Sequence, residues 1–349
     1  MYVHAFVYSY AIGVQMTISL RQKSGLVILI MCVLTGIFFL SCDNKKPTSA
    51  SKQVHEGLIL GFSQIGAESA WRNCNTRSVR DAAAENGVQL LFENAEQKQE
   101  NQIKAIRSFI AYQVDVIAFV PIVTDGWDNV LREAKQAGIP VLVTDREIKT
   151  TDESLYAGFI GTDSIQEGRS AGQFLIHKFA KSGKKTVNII ELSGTEGSSV
   201  ALGRARGFRE ALSGHTEFKI IHSESGDFMR SKGYELMKSV LARYKNTDAV
   251  FCHNDAMMLG MLDAMNELKI KPGKDIVIVT IDAQQAAIDA LRLGQVNCAI
   301  ECNPKTGPTI MDLAAKLAHG ESIPRVIHVD EKVFSEDDSD LADIPARGY

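Results

Sequence analysis

Little in this chain of 349 residues points to catalysis. It has no GxSxG elbow, no HExxH pair and no GxxxxGK[ST] loop, so the common signatures of serine hydrolases, zinc peptidases and phosphate-cradling NTPases are missing. None of the six cysteines forms a CxxC pair, which removes the usual zinc and dithiol-redox spacings. Charge of one sign is also scarce. The formal net charge is -4 with acids and bases interspersed, so no basic stripe exists to neutralise phosphates, and nucleic acid is not an expected partner. No cofactor, metal site or catalytic residue is expected.

Hydrophobic runs long enough to span a bilayer are absent too. The longest, Leu26 to Leu40, has about fifteen residues where roughly twenty are needed. Arg21 and Lys23 precede it, and Ser41, Cys42 and a polar spacer follow, which is the order of an export signal. Its end resembles a bacterial lipoprotein lipobox, with Phe39 where leucine is usual. That resemblance implies that Cys42 is the first mature residue and carries lipid, with residues 43–56 as a flexible tether. The alternative is an uncleaved single-pass anchor. The basic-then-apolar pattern begins only at Met16, so residues 1–15 read as an over-called start.

What the sequence has in quantity is alternation. Short β-rich runs (GLILGF, VQLLFEN, VDVIAFVP, IPVLVTD) are separated by helix-period segments such as NQIKAIRSFIAYQ and GWDNVLREAKQAG. After YAGFIGTD and the helical SIQEGRSAGQFLIHKFAKSG, a second series follows: TVNIIELSG, FKIIHSESG, DAVFCHND, DIVIVTID and QVNCAIEC. Two tandem sets predict two α/β lobes, each an open, doubly wound parallel sheet. Cys252 and Cys298 fall inside the apolar strand patterns and read as buried small hydrophobes.

Ligands of such sheets sit beyond the carboxyl ends of the strands. After the first strand, that rule selects Ser63, Gln64, Glu68, Trp71 and Arg72; after the fourth, Asp145 and Arg146. In the second series it selects Thr195, Phe228, Asn254, Asp255 and Asp282. Singly, each has an ordinary role: Trp71 as a core aromatic, Asp255 as a helix cap, Arg204 as a solvated helix residue, Asp145-Arg146 as a loop ion pair. Together they suit a sugar, whose ring has an apolar C–H face and a rim of hydroxyls that donate and accept. Trp71 and Phe228 can cover the two faces. Arg72, Arg146 and Arg204 offer forked donors, Glu68, Asp145 and Asp282 accept, and Asn254 does both. A glycosidase would need two carboxylates about one bond, and Glu68 with Asp145 are the candidates. The neighbouring arginines would lower their pKa values rather than raise one to make an acid. His253, alone at a strand end, is given no role.

At these residues the chain resembles the periplasmic sugar-binding proteins of ABC importers, the ribose- and galactose-type cluster, and within it the galactofuranose-binding branch. GFSQIGAESAWR, EQKQENQIKAIRSFIA, GWDNVLREAK, TDREI, SGDFMRSKG, HNDAMMLG and KPGKDI carry the likeness, which runs from about Glu56 to Tyr349. It implies a monosaccharide ligand, probed here by Asp145 and Arg146 of TDRE, Arg204 before RGF, Phe228 of SGDF, Asn254 of HND and Asp282 of TID. Trp71 aligns with the first-strand aromatic if one residue is inserted. Glu301 and Cys302 compete for a polar position after the last strand.

The same resemblance implies two lobes, 57–161 plus 303–325 and 162–302 plus 326–349, closing about a hinge. Crossings are expected near Gly161 to Ser164, Glu301 to Pro304 and Pro324 to Val326. The implied partners are an ABC permease and, through the lipid, the membrane. A sugar sensor feeding a membrane signalling receptor is the other output of the same fold.

Overall fold

The computed structural model describes residues 57–349; the export segment and the tether lie outside the described residues. No described helix is long and apolar enough to cross a membrane.

Two six-stranded sheets are wound in one pattern. The first contains β1 (Ile59–Gln64), β2 (Gln89–Asn94), β3 (Val116–Phe119), β4 (Val141–Asp145), β5 (Gly158–Gly161) and β11 (Val326–His328), in the order β11-β5-β4-β3-β1-β2. The second contains β6 (Val187–Ser193), β7 (Phe218–Ser225), β8 (Ala249–Cys252), β9 (Val277–Asp282), β10 (Cys298–Glu301) and β12 (Val333–Ser335), in the order β12-β10-β9-β8-β6-β7. All pairings are parallel except β10 with β12, which is antiparallel at an edge. The two sheets thus share one winding, as the tandem series predicts.

The helices are α1 (Ala70–Glu85), α2 (Gln99–Tyr112), α3 (Asp128–Gln136), α4 (Ser164–Phe179), α5 (Ser199–Ala211), α6 (Arg230–Arg243), α7 (Asp255–Glu267), α8 (Gln285–Arg292) and α9 (Gly307–Ala318). They cover both faces of each sheet. Strand alternation decides which residues meet which helices. In the second sheet Ile190, Leu192, Val250, Cys252 and Ile278 point to the α6–α8 side, while Ile189, Phe251, Val279 and Ile281 point to Ala171, Phe174 and Phe208 of α4 and α5. A parallel sheet buried on both faces needs such near-continuous apolar strands. The four cysteines among the described residues are unpaired and buried, Cys252 and Cys298 within these strands.

The chain passes between the sheets three times: at 162–163, between β5 and α4; at 302–306, between β10 and α9; and at 329–332, between β11 and β12. The third lies beyond the expected 324–326, because Val326–His328 pairs with β5 and extends the first sheet. Residues 326–328 therefore join the first lobe rather than the second. The exposed, three-residue β11 carried no strand signal of its own.

Candidate functional site

Between the carboxyl ends of the two sheets lies a cavity of about 330 Å³ of atom-free space. Glu68, Trp71, Arg72, Asp145, Arg146, Arg204, Phe228, Asn254 and Asp282 all line it, joined by Ser69, Val200 and Cys302. The structure thus brings together every residue singled out for a sugar.

The first lobe presents one charged network. Ser69 caps α1, its hydroxyl accepting from the Arg72 amide at 3.1 Å, which starts the helix where Trp71 and Arg72 face the cavity. Arg72 Nε donates to Glu68 Oε1 at 3.1 Å, and Nη2 stands 2.7 Å from Asp145 Oδ2, close enough for an ion pair but off the angle of a hydrogen bond. Burial opposes the Arg72 charge, yet the carboxylates of Asp145 and Glu68 hold it above its usual pKa. Arg146 is 3% exposed and spends Nη1 on the Ile122 carbonyl at 3.1 Å. Burial first, and the charge of Arg72 second, push Arg146 down to about 10, which still leaves it charged at neutral pH.

The second lobe supplies Phe228, whose ring lies 5.2 Å from the Arg146 guanidinium and 5.8 Å from that of Arg204. Gly194, after β6, makes room for it: a Cβ there would come within 1.8 Å of the ring. Arg204 donates through Nε to Glu167 at 2.7 Å and through Nη1 to the His253 carbonyl at 2.7 Å. Asn254 caps α7 by accepting from the Met257 amide at 3.1 Å, and its amide donates to the Phe228 carbonyl at 3.3 Å. Asp282 ends β9 and accepts from the Gln284 amide side chain at 2.9 Å. Burial, then the charge of Asp255, push Asp282 well above the usual carboxylate range; burial lifts Asp255 to about 7. Three cavity residues hold positive φ: Asp145 (61°), Phe228 (61°) and Asp282 (116°). Non-glycine residues rarely sit there, and such strain gathers at binding sites.

Trp71 crosses between lobes. Although it starts α1, its ring packs with the second lobe's core, and Nε1 donates to the Cys302 carbonyl at 2.6 Å.

Most of the rest of the strand-end shortlist serves the scaffold, while the buried Ser63 hydroxyl has no hydrogen-bond partner and does not line the cavity. Gln64 donates to Asn75 and Thr76, and Asp255 accepts from Thr280 and the Gln284 amide. Thr195 gives its carbonyl to Ser198. His253, fully buried, pairs Nε2 with Glu191 at 3.3 Å. Of the two residues that competed after β10, Cys302 lines the cavity, whereas Glu301 pairs with Arg347 and accepts from the Lys332 amide. Sequence reasoning missed Glu167, the partner of Arg204. The signal available was glycine at 168, 172, 203 and 207, four apart on consecutive helices, which marks a close helix crossing.

A family model described as a periplasmic binding protein domain matches residues 60–322. The chain is 42% identical over 270 residues to the galactofuranose-binding protein YtfQ of Escherichia coli K12, covering 76% of this chain and 84% of that one. A Mycobacterium smegmatis protein crystallised with β-D-fucofuranose is 48% identical with a TM-score of 0.79, over 80% of this chain and 92% of that one. The binding component of an arabinose ABC transporter from Shewanella sp. ANA-3, bound to α- and β-L-arabinofuranose, is 40% identical with a TM-score of 0.77, over 82% and 93%.

Proposed function

The chain belongs to the periplasmic binding protein family, and from that premise we propose that it captures a monosaccharide, galactofuranose, in the interlobe cavity and delivers it to the permease of an ABC importer. It transforms nothing. The observation that carries this reading is a set of buried polar atoms on the cavity's residues with no protein partner in hydrogen-bond geometry: Arg72 Nη1 and Arg146 Nε as donors, Glu68 Oε2 and Asp145 Oδ2 as acceptors. Leaving such groups unmade is costly. A phosphate or carboxylate would face Glu68 and Asp145, and an ammonium would face the arginines. Hydroxyls, which donate and accept, suit both kinds, and the Trp71 and Phe228 rings suit the C–H faces of a sugar. The choice of galactofuranose follows the 42% identical relative; fucofuranose and arabinofuranose in the two solved structures make other furanoses the natural competitors.

The three passages at 162–163, 302–306 and 329–332 form the hinge in this reading, and closure about it withdraws the sugar from water. The family places the protein outside the cytoplasm. Lipidation at Cys42, which lies outside the described residues, keeps it at the membrane; Cys42→Ser should release it to the soluble fraction.

Calorimetric titration of the purified protein against galactofuranose, arabinofuranose, ribose, galactose and glucose tests the ligand. Micromolar or tighter binding of one furanose with weak pyranoses supports the proposal. Heat from none of them ends it. Stimulation of the permease ATPase by the sugar-loaded protein separates delivery from signalling.

A further inference from the structure

Glu167 does not line the cavity, yet it is 2% exposed and holds the most deeply engaged arginine of the site. It lies in the first turn of α4, where the helix dipole favours an acid, and takes Arg204 by two edges, Nε at 2.7 Å and Nη2 at 3.3 Å. The His253 carbonyl takes Nη1. Of the five N–H groups of a guanidinium, these contacts leave two for a ligand.

This reach depends on backbone contact between α4 and α5. A Cβ on Gly168 would come within 2.1 Å of the Arg204 carbonyl oxygen, and one on Gly207 within 1.9 Å of that of Ile165. Larger residues would part the helices and carry the carboxylate away from the guanidinium.

Glu167 also stands where the lobes connect. It follows the first passage, and its carboxylate, the Cys302 thiol of the second passage and the Glu331 carboxylate of the third bring their ligating atoms within 4.8 Å of one another. Cys302 in turn accepts from Trp71 of the first lobe, and Glu331 accepts from the Asn303 amide at 3.4 Å. A residue placed only to stabilise α4 would have no reason to meet all three passages and a cavity arginine.

We propose that Glu167 is a positioning residue that orients the Arg204 guanidinium toward the ligand and ties that orientation to the hinge passages. The proposal rests on the sugar-binding reading for its ligand. Its test compares full-length wild type with Glu167→Gln, Glu167→Asp and Glu331→Gln by calorimetry with galactofuranose and arabinofuranose, and follows the Arg204 Nε–H proton resonance by NMR. Glu167→Gln should weaken the better sugar by about 10- to 100-fold, as small misplacements of a binding group do, and shrink the preference between the two sugars. Glu331→Gln should keep that preference. Loss of stability alone would weaken both sugars in proportion, so an unchanged ratio in Glu167→Gln overturns the proposal. If Glu167→Gln does not fold, Glu167→Asp, one methylene shorter, carries the same comparison with the same two outcomes. If wild type binds neither sugar, the functional reading falls and the resonance decides: its loss in the variant upholds the positioning role, and its persistence refutes it.

Discussion

The two faces of the cavity are built on opposite principles. On the second lobe each polar side chain is already engaged by protein: Arg204 by Glu167 and His253, Asn254 by Met257 and Phe228, Asp282 by Gln284. On the first lobe Glu68, Arg72 and Asp145 form a buried ionic network beside Arg146, and two donor and two acceptor atoms there lack a partner in hydrogen-bond geometry. A group fixed by the fold can offer a ligand only what remains. Open valences, in contrast, are satisfied when the right hydroxyls arrive. On the proposed sugar-binding function, the first lobe would read hydroxyls, and the second would supply shape through Phe228 and the preset Arg204.

The sharpest way to break this comparison is Arg72→Ala. It removes a donor and strands Glu68 and Asp145 as buried carboxylates, so affinity should fall by about 2–5 kcal/mol, the range for truncating one partner of a buried charge pair. Asn254→Ala, on the engaged face, should act chiefly through the lost helix cap, at about 0.5–2 kcal/mol of stability. Calorimetry and thermal melts of both variants decide it: equal losses of affinity would mean that the faces do not divide the work. Trp71→Ala comes next. Removing a stacked face should cost about 1–3 kcal/mol of binding. Unchanged affinity would make Trp71 purely a core residue, a role its packing against the second lobe already gives it in part.

The sequence made the first-lobe face more legible than the machinery behind the second. Asp145 and Arg146 sit at the end of β4, and Glu68 and Arg72 in the turn and helix start that follow β1, at the sheet's carboxyl edge, so local position sufficed. Glu167 is 37 residues from Arg204, and only the close crossing of α4 on α5 pairs them. Glu301 ends β10 and Cys302 follows it into the passage between lobes, and no periodicity tells which side chain turns to the cavity. The long strands were read correctly from their apolar runs. β11 and β12 were not, since VIH and VFS are three residues each, too short for a pattern, and gain strand character only from their neighbours. Tertiary partners thus account for what was missed in each case.

The last expected effect is on stability against pH rather than on affinity, and it belongs to the second lobe and the hinge. Burial lifts Asp255 from 3.8 to about 7, and burial with the charge of Glu167 lifts Glu331 from 4.5 to about 10. Both folded values are raised, so the folded state binds more protons than the unfolded chain between the two values of each group. Their contribution is therefore complete below about pH 4 and is lost as pH rises, through 7 for Asp255 and through 10 for Glu331. One proton gives a slope of at most about 1.4 kcal/mol per pH unit. Chemical denaturation from pH 5 to 9 should then show stability declining with pH, and Glu331→Gln should flatten the upper part of that decline while Asp255→Asn flattens the lower. A Glu331→Gln profile parallel to wild type would mean that the carboxylates at the passages repel too weakly to report on the hinge. The sensitivity to pH would then have to come from the cavity itself, and the division between a fixed face and an open one would lose its electrostatic support.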